Sequence, residues 1–251
     1  MITTDHLQED RVAESDDRLT TVAEVPPGPR RRLRWKIVAG VGMLAALSGA
    51  AIAADHATNS SSHSTHSFVE PITTLDIDIS AGSVRVIGDT ASTVTVDVTT
   101  HGGLRRPSRV ETVVGDRLVL RSDCDYHLLT PTCSTDYVVH APANVAIVID
   151  SDGADIDLVN VTGDVDMDLN GGDVDMQFAS APHSVEVDAN GGDVDIVVPD
   201  DAATYDVESE TNGGSTQVDV RTDRESPNHI DISTNGGDID VRYPVAQRAA
   251  G

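Results

Sequence analysis

The sequence is poor in aromatic residues, lysine and cysteine. Its 251 residues include only two Phe, one Trp and four Tyr, too few for the stacking platforms that bind single-stranded nucleic acids or sugars. Lys36 is the single lysine, and Lys and Arg together number 17 against 42 Asp and Glu, giving a net charge of −25. Because phosphate recognition needs a surplus of basic side chains, we exclude a nucleic-acid partner.

The sequence also lacks the common catalytic signatures. It contains no GxSxG or HExxH motif and no Cys/His pairing typical of nucleophilic catalysis. Its carboxylates recur from one repeat to the next, and a residue repeated in this way is more typical of a scaffold than of a unique active site. We therefore predict that the protein is not an enzyme.

One apolar run and its basic flank predict a membrane anchor. Residues 1–36 are neutral overall, so residues 55–251 carry all of the net negative charge. The 18 residues 37–54 are uncharged and as a helix would span about 27 Å, enough for a hydrocarbon core. Four arginines and Lys36 precede this run, and such a flank stays in the cytoplasm. We predict a single-pass cell-membrane protein with a disordered cytoplasmic tail over 1–36 and a transmembrane helix over 37–54.

The apolar run has a second interpretation. It is rich in Ala and Gly, and Ala51-Ile52-Ala53 offers a cleavage site, so the alternative is a protein secreted after signal cleavage near Ala53. If the run stays in the membrane, its small side chains recur every fourth residue on one helix face and could support a homodimer. These small residues are Gly42, Ala46, Ala50 and Ala54.

Residues 55–67 and the two cysteines predict further features of the outer part. Residues 55–67 are rich in Ser, Thr and His, a composition that cannot form a core, and we predict a flexible linker there. Cys124 and Cys133 are the only cysteines. Because disulfides persist outside the cytoplasm, we predict that they form a structural disulfide and do not bind zinc.

From residue 151 onward the chain repeats itself. The recurring unit is an alternating segment, then Asn-Gly-Gly, then a second alternating segment and a turn near a proline. The spacing of 20, 22 and 23 residues between the asparagines indicates a stacked array. We predict that the Gly pairs lie at turns that need a close approach or a positive φ. The turns are Asn170-Gly171-Gly172, Asn190-Gly191-Gly192, Asn212-Gly213-Gly214 and Asn235-Gly236-Gly237.

Apolar residues alternate with Asp and Thr throughout these units. Val174, Met176 and Phe178 share one face, and Asp173 and Asp175 share the other, which predicts strands with one buried face and one wet face. Residues 72–150 follow the same pattern more loosely. We predict an all-β domain over 68–245, a β-solenoid-like stack of two-strand repeats. The strands could form parallel rungs, which the near-constant unit length favours, or stacked hairpins.

Stacking brings equivalent aspartates together in rows. We expect one row of Asp164, Asp173, Asp193 and Asp238, and beside it a row of Asp166, Asp175, Asp195 and Asp240. Solvent and salt can screen such rows, and this solvated acidic face is the interpretation we favour. The alternative is calcium bound by Asp173, Asp175, Asp193, Asp195, Asp238 and Asp240. Against calcium, Ser215 and Thr216 replace the acids of the 212 unit and would interrupt the row.

The segments SAGSVRVIG, VTGDVDMD, NGGDVDMQ, NGGDVDIV and NGGDIDVR, behind one membrane segment, resemble a bacterial β-strand-repeat family of unknown function labelled putative adhesin. The resemblance covers about residues 72–243 and implies a β-solenoid-like domain on the cell envelope. It implies adhesion or envelope-stress roles and no catalytic residues.

Two functions follow from these features. The first is a non-enzymatic envelope protein that presents an acidic β-repeat domain to a cationic ligand or partner protein. The alternative is an envelope-stress sensor that signals through its N-terminal tail, in which case deletion of residues 1–29 should abolish the output.

Overall fold

The structure, a computed structural model, describes residues 60–103, 106–124 and 133–244, in which seventeen β-strands lie. In chain order these are β1 (Ser60–Phe68), β2 (Thr74–Ile79), β3 (Gly82–Asp89), β4 (Val94–Gly102), β5 (Ser108–Val114), β6 (Arg117–Asp123), β7 (Cys133–Pro142), β8 (Ala146–Ser151), β9 (Ala154–Val161), β10 (Val165–Leu169), β11 (Val174–Phe178), β12 (Ser184–Ala189), β13 (Val194–Val197), β14 (Asp206–Thr211), β15 (Thr216–Asp219), β16 (His229–Thr234) and β17 (Ile239–Arg242).

Alternation along each strand places the apolar side chains between two sheets. In β11, Val174, Met176 and Phe178 are at most 4% exposed, whereas Asp175 and Gln177 lie on the wet face. In β2, Leu75 and Ile77 are fully buried. Val, Ile and Leu supply most of this core, because β-branched and aliphatic side chains fit a pleated, half-buried surface. The predicted strand faces are confirmed.

The strands form two sheets, and each repeat contributes one strand to each of them. Sheet A has the order β1-β4-β7-β3-β9-β11-β13-β17-β15, and sheet B has the order β14-β16-β12-β10-β8-β2-β6-β5. A strand of sheet B, a corner and a strand of sheet A make one rung, and neighbouring rungs pair in parallel from β6/β7 through β14/β15. The repeats are therefore parallel rungs of a β-solenoid-like fold, and the alternative of stacked hairpins is wrong.

The rungs do not stack in chain order. The rung β16/β17 lies between β12/β13 and β14/β15, and at the other end β2/β3 lies between β8/β9 and β6/β7. At the β14 end the chain therefore passes over one position and returns to fill it, whereas at the other end β6/β7 and then β8/β9 are added on the two sides of β2/β3. As a result, the repeat that contains Asn212 is the outermost rung.

The opposite end is closed by antiparallel strands. In sheet A, β4 pairs with β7 and β1 pairs with β4, and in sheet B, β5 pairs with β6, each pair antiparallel. These strands change direction relative to the rungs and finish the stack.

The first strand corrects the predicted linker. Residues 55–67 were expected to form a flexible linker before a domain starting at 68, yet Ser60–Phe68 forms β1. Ser62 Oγ lies 2.7 Å from Thr100 Oγ1, and His66 Nε2 lies 3.3 Å from Glu111 Oε2 on β5. A strand at the edge of a sheet is held mainly by backbone hydrogen bonds and needs few apolar side chains. A Ser/Thr/His segment can therefore form an edge strand.

Several predictions concern residues outside the described ranges. These are the tail over 1–36, the transmembrane helix over 37–54, the dimer face on Gly42, Ala46, Ala50 and Ala54, and the cleavage site near Ala53. Among the described residues, no helix is both long and apolar enough to cross a membrane.

Candidate functional site

The four Asn-Gly-Gly turns lie at neighbouring corners of the stack, where the chain passes from sheet B to sheet A. Asn190 Nδ2 donates to Asn170 Oδ1 at 2.8 Å, and Asn235 Nδ2 donates to Asn190 Oδ1 at 2.9 Å. Asn212 Nδ2 donates to Asn235 Oδ1, also at 2.9 Å. The asparagines therefore form a hydrogen-bonded ladder, and its order follows the rungs, with Asn235 between Asn190 and Asn212.

The second glycine of each corner permits the rungs to approach. Gly172, Gly192 and Gly237 have φ values of 97°, 105° and 119°, a region that residues with a Cβ rarely adopt. A Cβ on Gly192 would lie 2.0 Å from the carbonyl oxygen of Gly172. The first glycine differs, because a Cβ on Gly191 would have no atom within 4 Å. The predicted need for glycine is confirmed at the second position only.

The aspartate after each corner binds the backbone of the next rung. The amide of Asp193 donates to Asp173 Oδ1 at 3.0 Å, and the amide of Asp238 donates to Asp193 Oδ1 at 2.8 Å. The amide of Ser215 donates to Asp238 Oδ1 at 2.7 Å and its hydroxyl donates to the same atom at 2.9 Å, and these two bonds from Ser215 lower the pKa of Asp238. These carboxylates therefore have a structural role at the corners.

Two features of the predicted aspartate rows are wrong. Asp164 precedes β10 and Asp166 lies within it, so they belong to sheet B and not to the rows of Asp173 and Asp175 on sheet A. The predicted interruption at Ser215 and Thr216 does not occur either, because their rung is the outermost one. The prediction assumed that the rungs stack in chain order.

The second aspartate row crosses sheet A between two arginines. Asp157, Asp175, Asp195 and Asp240 are in register on β9, β11, β13 and β17. Arg85 Nη1 lies 3.2 Å from Asp157, and Arg242 contacts both Asp195 and Asp240. Desolvation and the neighbouring carboxylates Asp195 and Asp157 raise the pKa of Asp175. The arginines thus pair with every member of this row except Asp175.

The calcium alternative stays a prediction. Within the described ranges, no group of three or more His, Cys, Asp or Glu side chains is arranged to hold a metal ion. In addition, Asp173, Asp193 and Asp238 already accept backbone hydrogen bonds.

A larger group of carboxylates lies on the outer face of sheet B. Two rows run across the strands in register, one through Asp166, the second residue of β10, and one through Asp168, the fourth. The outer row comprises Asp76, Asp166, Glu186, Asp231 and Glu208, and the inner row comprises Asp78, Asp150, Asp168, Asp188 and Glu210. The two rows lie two residues apart along the strands, so both are on the outer side of sheet B, and we call this surface the acidic face. Val148 interrupts the outer row and Ser233 interrupts the inner row.

Positive charge on the acidic face is confined to one end. Arg117 Nη1 lies 2.7 Å from Asp76 Oδ2, and Arg121 Nε lies 3.7 Å from Asp78 Oδ2. Among the described residues of β8, β10, β12, β16 and β14, there is no Arg or Lys. Desolvation and the adjacent carboxylates Asp78 and Asp168 raise the pKa of Asp150. The acidic face is therefore an extended surface of like charges with few counter-charges of its own.

Sequence reasoning missed most of the acidic face. The sequence-based rows were built mainly from the acids that follow Asn-Gly-Gly. The acids in the strands that precede Asn-Gly-Gly were not placed in rows. The signal is the alternation in stretches such as Ser184–Ala189, where Glu186 and Asp188 face out.

The predicted disulfide is present. Cys124 and Cys133 are bonded, with their Cα atoms 5.8 Å apart. The bond links the end of β6 in sheet B to the start of β7 in sheet A, so it fixes one corner of a rung.

Comparison with known proteins supports this architecture. Residues 139–242 match the family model described as Toastrack DUF4097, and the resemblance drawn from the repeats is confirmed. No curated protein matches the chain.

Two solved structures resemble the chain. A putative cell adhesion protein from Clostridium sporogenes ATCC 15579 is 12% identical with a TM-score of 0.56, and the match covers 74% of this chain and 100% of that chain. At this identity, the similarity concerns the fold alone. A putative adhesin from Bacteroides fragilis NCTC 9343 is 14% identical over 72% of this chain and 97% of that chain, but its TM-score of 0.26 supports no argument.

Proposed function

We propose that this chain is a non-enzymatic envelope protein, anchored by residues 37–54, whose acidic face binds cationic groups of a partner protein outside the cell. The observation that carries the proposal is the pair of carboxylate rows across sheet B. The five strands β8, β10, β12, β16 and β14, which carry most of these rows, contain no Arg or Lys. Structural acids in this fold bind backbone amides or arginines, as Asp76 and Asp78 do at one end of the rows. The acids of the rows on β8, β10, β12, β16 and β14 have no such partner in the described part of the chain.

The electrostatics favour a cationic partner. Like charges directly opposite each other on neighbouring strands are destabilising, and the raised pKa of Asp150 reflects this repulsion together with desolvation. A partner that brings Lys or Arg between the rows would relieve the repulsion. Complementary charge of this kind contributes specificity and a faster association rate.

The proposal agrees with what is known of similar proteins. The Clostridium sporogenes protein is described as a putative cell adhesion protein, and we extend an adhesion-like role to this chain. The repeated carboxylates, each with the same environment in successive rungs, favour a binding scaffold over an enzyme.

A binding assay with the full chain tests the proposal. The probe is immobilised poly-lysine, measured at physiological ionic strength. We compare wild type with a triple variant of the acidic face, Asp166→Asn/Glu186→Gln/Asp231→Asn. The matched control, Glu70→Gln/Asp219→Asn/Glu225→Gln, removes the same charge from exposed positions elsewhere.

We expect the acidic-face variant to bind about tenfold more weakly, since three exposed charge pairs of about 0.5 kcal/mol each are lost. The control should change binding by less than about twofold, because charges beyond a Debye length of about 8 Å are screened. Equal losses in both variants, or binding that is insensitive to added salt, would show that the acidic face is not the binding surface.

A further inference from the structure

The outer edge of β14 is an unpaired strand edge. In sheet B, β14 pairs with β16 on one side and has no strand on the other side among the described residues. Only its start is covered, where the amide of Tyr205 donates to the carbonyl of Arg221 and the amide of Asp223 donates to the carbonyl of Tyr205. The rest of the edge faces outward.

The backbone alternation shows which groups are free. The amides of Asp206 and Asn212 donate to carbonyls on the β16 side, at Asn228 and Thr234. Because successive residues of a strand direct their N–H and C=O groups to opposite sides, Val207 and Ser209 direct theirs away from β16. Two residues in the middle of β14 thus offer donors and acceptors to an added strand.

The side chains of this edge differ between its two faces. Glu208 and Glu210 are exposed and end the two rows of the acidic face. Val207 is half-buried on the inner side and lines a cavity of about 710 Å³. Tyr205 and Val218 line the same cavity, together with polar side chains that include Asp223 and Arg224. This end of the stack therefore combines a recess of mixed polarity with an acidic outer surface.

Tyr205 adds a free hydrogen-bonding group at the recess. Its side chain is fully buried, and its hydroxyl has no hydrogen-bond partner in the described part of the chain. Burial raises the pKa of Tyr205 to about 12, so the phenol stays protonated and able to donate at neutral pH. A buried hydroxyl without a partner is unfavourable.

The charge on β14 determines which strand fits. A second copy of this chain, paired through the same edge, would bring Asp206, Glu208 and Glu210 against their own equivalents, and like charges in register are destabilising. A strand with basic residues at alternate positions would instead pair with Glu208 and Glu210. Its intervening residues would face inward beside Val207 and Ser209.

We propose that β14 accepts an extended segment of a partner protein as an added strand, with Lys or Arg opposite Glu208 and Glu210 and small apolar residues between them. This deepens the proposed function, because it rests on a cationic partner and specifies where and in what conformation it binds. Backbone hydrogen bonds supply the affinity in this mode, and the alternate side chains supply the specificity.

Two hexapeptides of equal composition test the proposal with the purified full chain. One alternates lysine and valine, and the other has three lysines followed by three valines, both with blocked termini. We expect the alternating peptide to bind at least tenfold more tightly in calorimetry. The Glu208→Gln/Glu210→Gln variant should remove most of this preference, whereas Glu186→Gln/Asp188→Asn, which removes the same charge two rungs away, should keep it.

Methylated peptides test the backbone pairing without altering the protein. N-methylation of one alternate set of amides, either those of lysine or those of valine, should reduce the affinity at least tenfold, while the other set should leave it within about threefold. Equal affinity for the two hexapeptides, or equal effects of the two methylated sets, would overturn strand addition.

These outcomes separate the two proposals. If both hexapeptides bind equally and the Asp166/Glu186/Asp231 triple variant weakens both, the acidic face binds cations but β14 does not accept a strand. If the alternating peptide binds with the expected dependence on Glu208 and Glu210 while poly-lysine binding ignores the triple variant, the β14 proposal stands and the proposed function fails.

Discussion

A close contact between rungs predicts a sharp difference between two adjacent glycines. In Gly192→Ala, the new Cβ would lie 2.0 Å from the carbonyl oxygen of Gly172, and the residue would keep a φ of 105°. In Gly191→Ala, the Cβ would have no atom within 4 Å. The two variants carry the same chemical change one residue apart, so each is the control for the other.

The expected magnitude follows from the contacts that must move. A residue with a Cβ in the left-handed region loses about 1–2 kcal/mol. Relief of the clash separates two rungs and weakens the bond from the amide of Asp193 to Asp173 and the bond between Asn190 and Asn170, each worth about 1 kcal/mol. We expect Gly192→Ala to lower the free energy of unfolding by about 3–4 kcal/mol, and Gly191→Ala to stay within about 1 kcal/mol of wild type.

Urea denaturation followed by far-ultraviolet circular dichroism measures this difference. Circular dichroism is preferable to tryptophan fluorescence, because the single tryptophan, Trp35, lies outside the β-domain. At about 2–4 °C per kcal/mol, Gly192→Ala should also lower Tm by roughly 6–16 °C. Equal stabilities for the two variants would refute the close approach of the rungs at this corner.

Four further predictions concern the ladder, the disulfide, pH and calcium. Asn190→Ala removes two ladder bonds and should reduce the free energy of unfolding by about 1–2 kcal/mol, whereas Asn212→Ala removes one and should cost about half as much; equal losses in urea melts would contradict the ladder order. Reduction of Cys124–Cys133 should reduce the free energy of unfolding by about 2–3 kcal/mol, and an unchanged Tm in reductant would contradict this. Because the pKa of Asp150 is raised, the native state binds this proton more readily than the unfolded chain, so Tm should rise as the pH falls from 7 towards that raised pKa; a steady fall in Tm over this range would be inconsistent with the repulsion. Tm should be the same in millimolar calcium and in chelator, because the corner aspartates already bind backbone amides, and a rise in calcium would support the metal alternative.

The strands and their faces were predictable because the sequence states them directly. Alternation at Val174, Met176 and Phe178 fixes which side chains enter the core, and the structure buries all three. The Asn-Gly-Gly corners were predictable for a similar reason, since a recurring glycine marks a recurring backbone requirement. Each of these features depends on residues close together in the chain.

The order of the rungs was not predicted, because near-identical repeats can stack in more than one order. A signal for the order is nevertheless present in the inward-facing residues. In β14 these include Val207 and Ser209, whereas in β16 they include Ile230 and Ile232. A rung enclosed on both sides buries more apolar surface than a terminal rung, so the more apolar β16/β17 is favoured for the enclosed position.

The direction of the corner hydrogen bonds explains the residues that break the repeat. Each corner accepts a bond from the rung that follows it towards β14/β15, and donates one to the rung before it. At the first corner of the asparagine ladder, the side chain only has to accept a hydrogen bond. Asp152 occupies this position; its carboxylate, which cannot donate, accepts from Asn170 Nδ2 at 3.1 Å. In the series of bonds from a backbone amide to the aspartate of the neighbouring corner, the outermost rung only donates. No further rung offers an amide to a side chain at position 215, and Ser215 stands there in place of an acid. The departures from the repeat at Asp152 and Ser215 therefore mark the two ends of a directional ladder, and an acid at 215 would add negative charge beside Asp238 without an amide to bind.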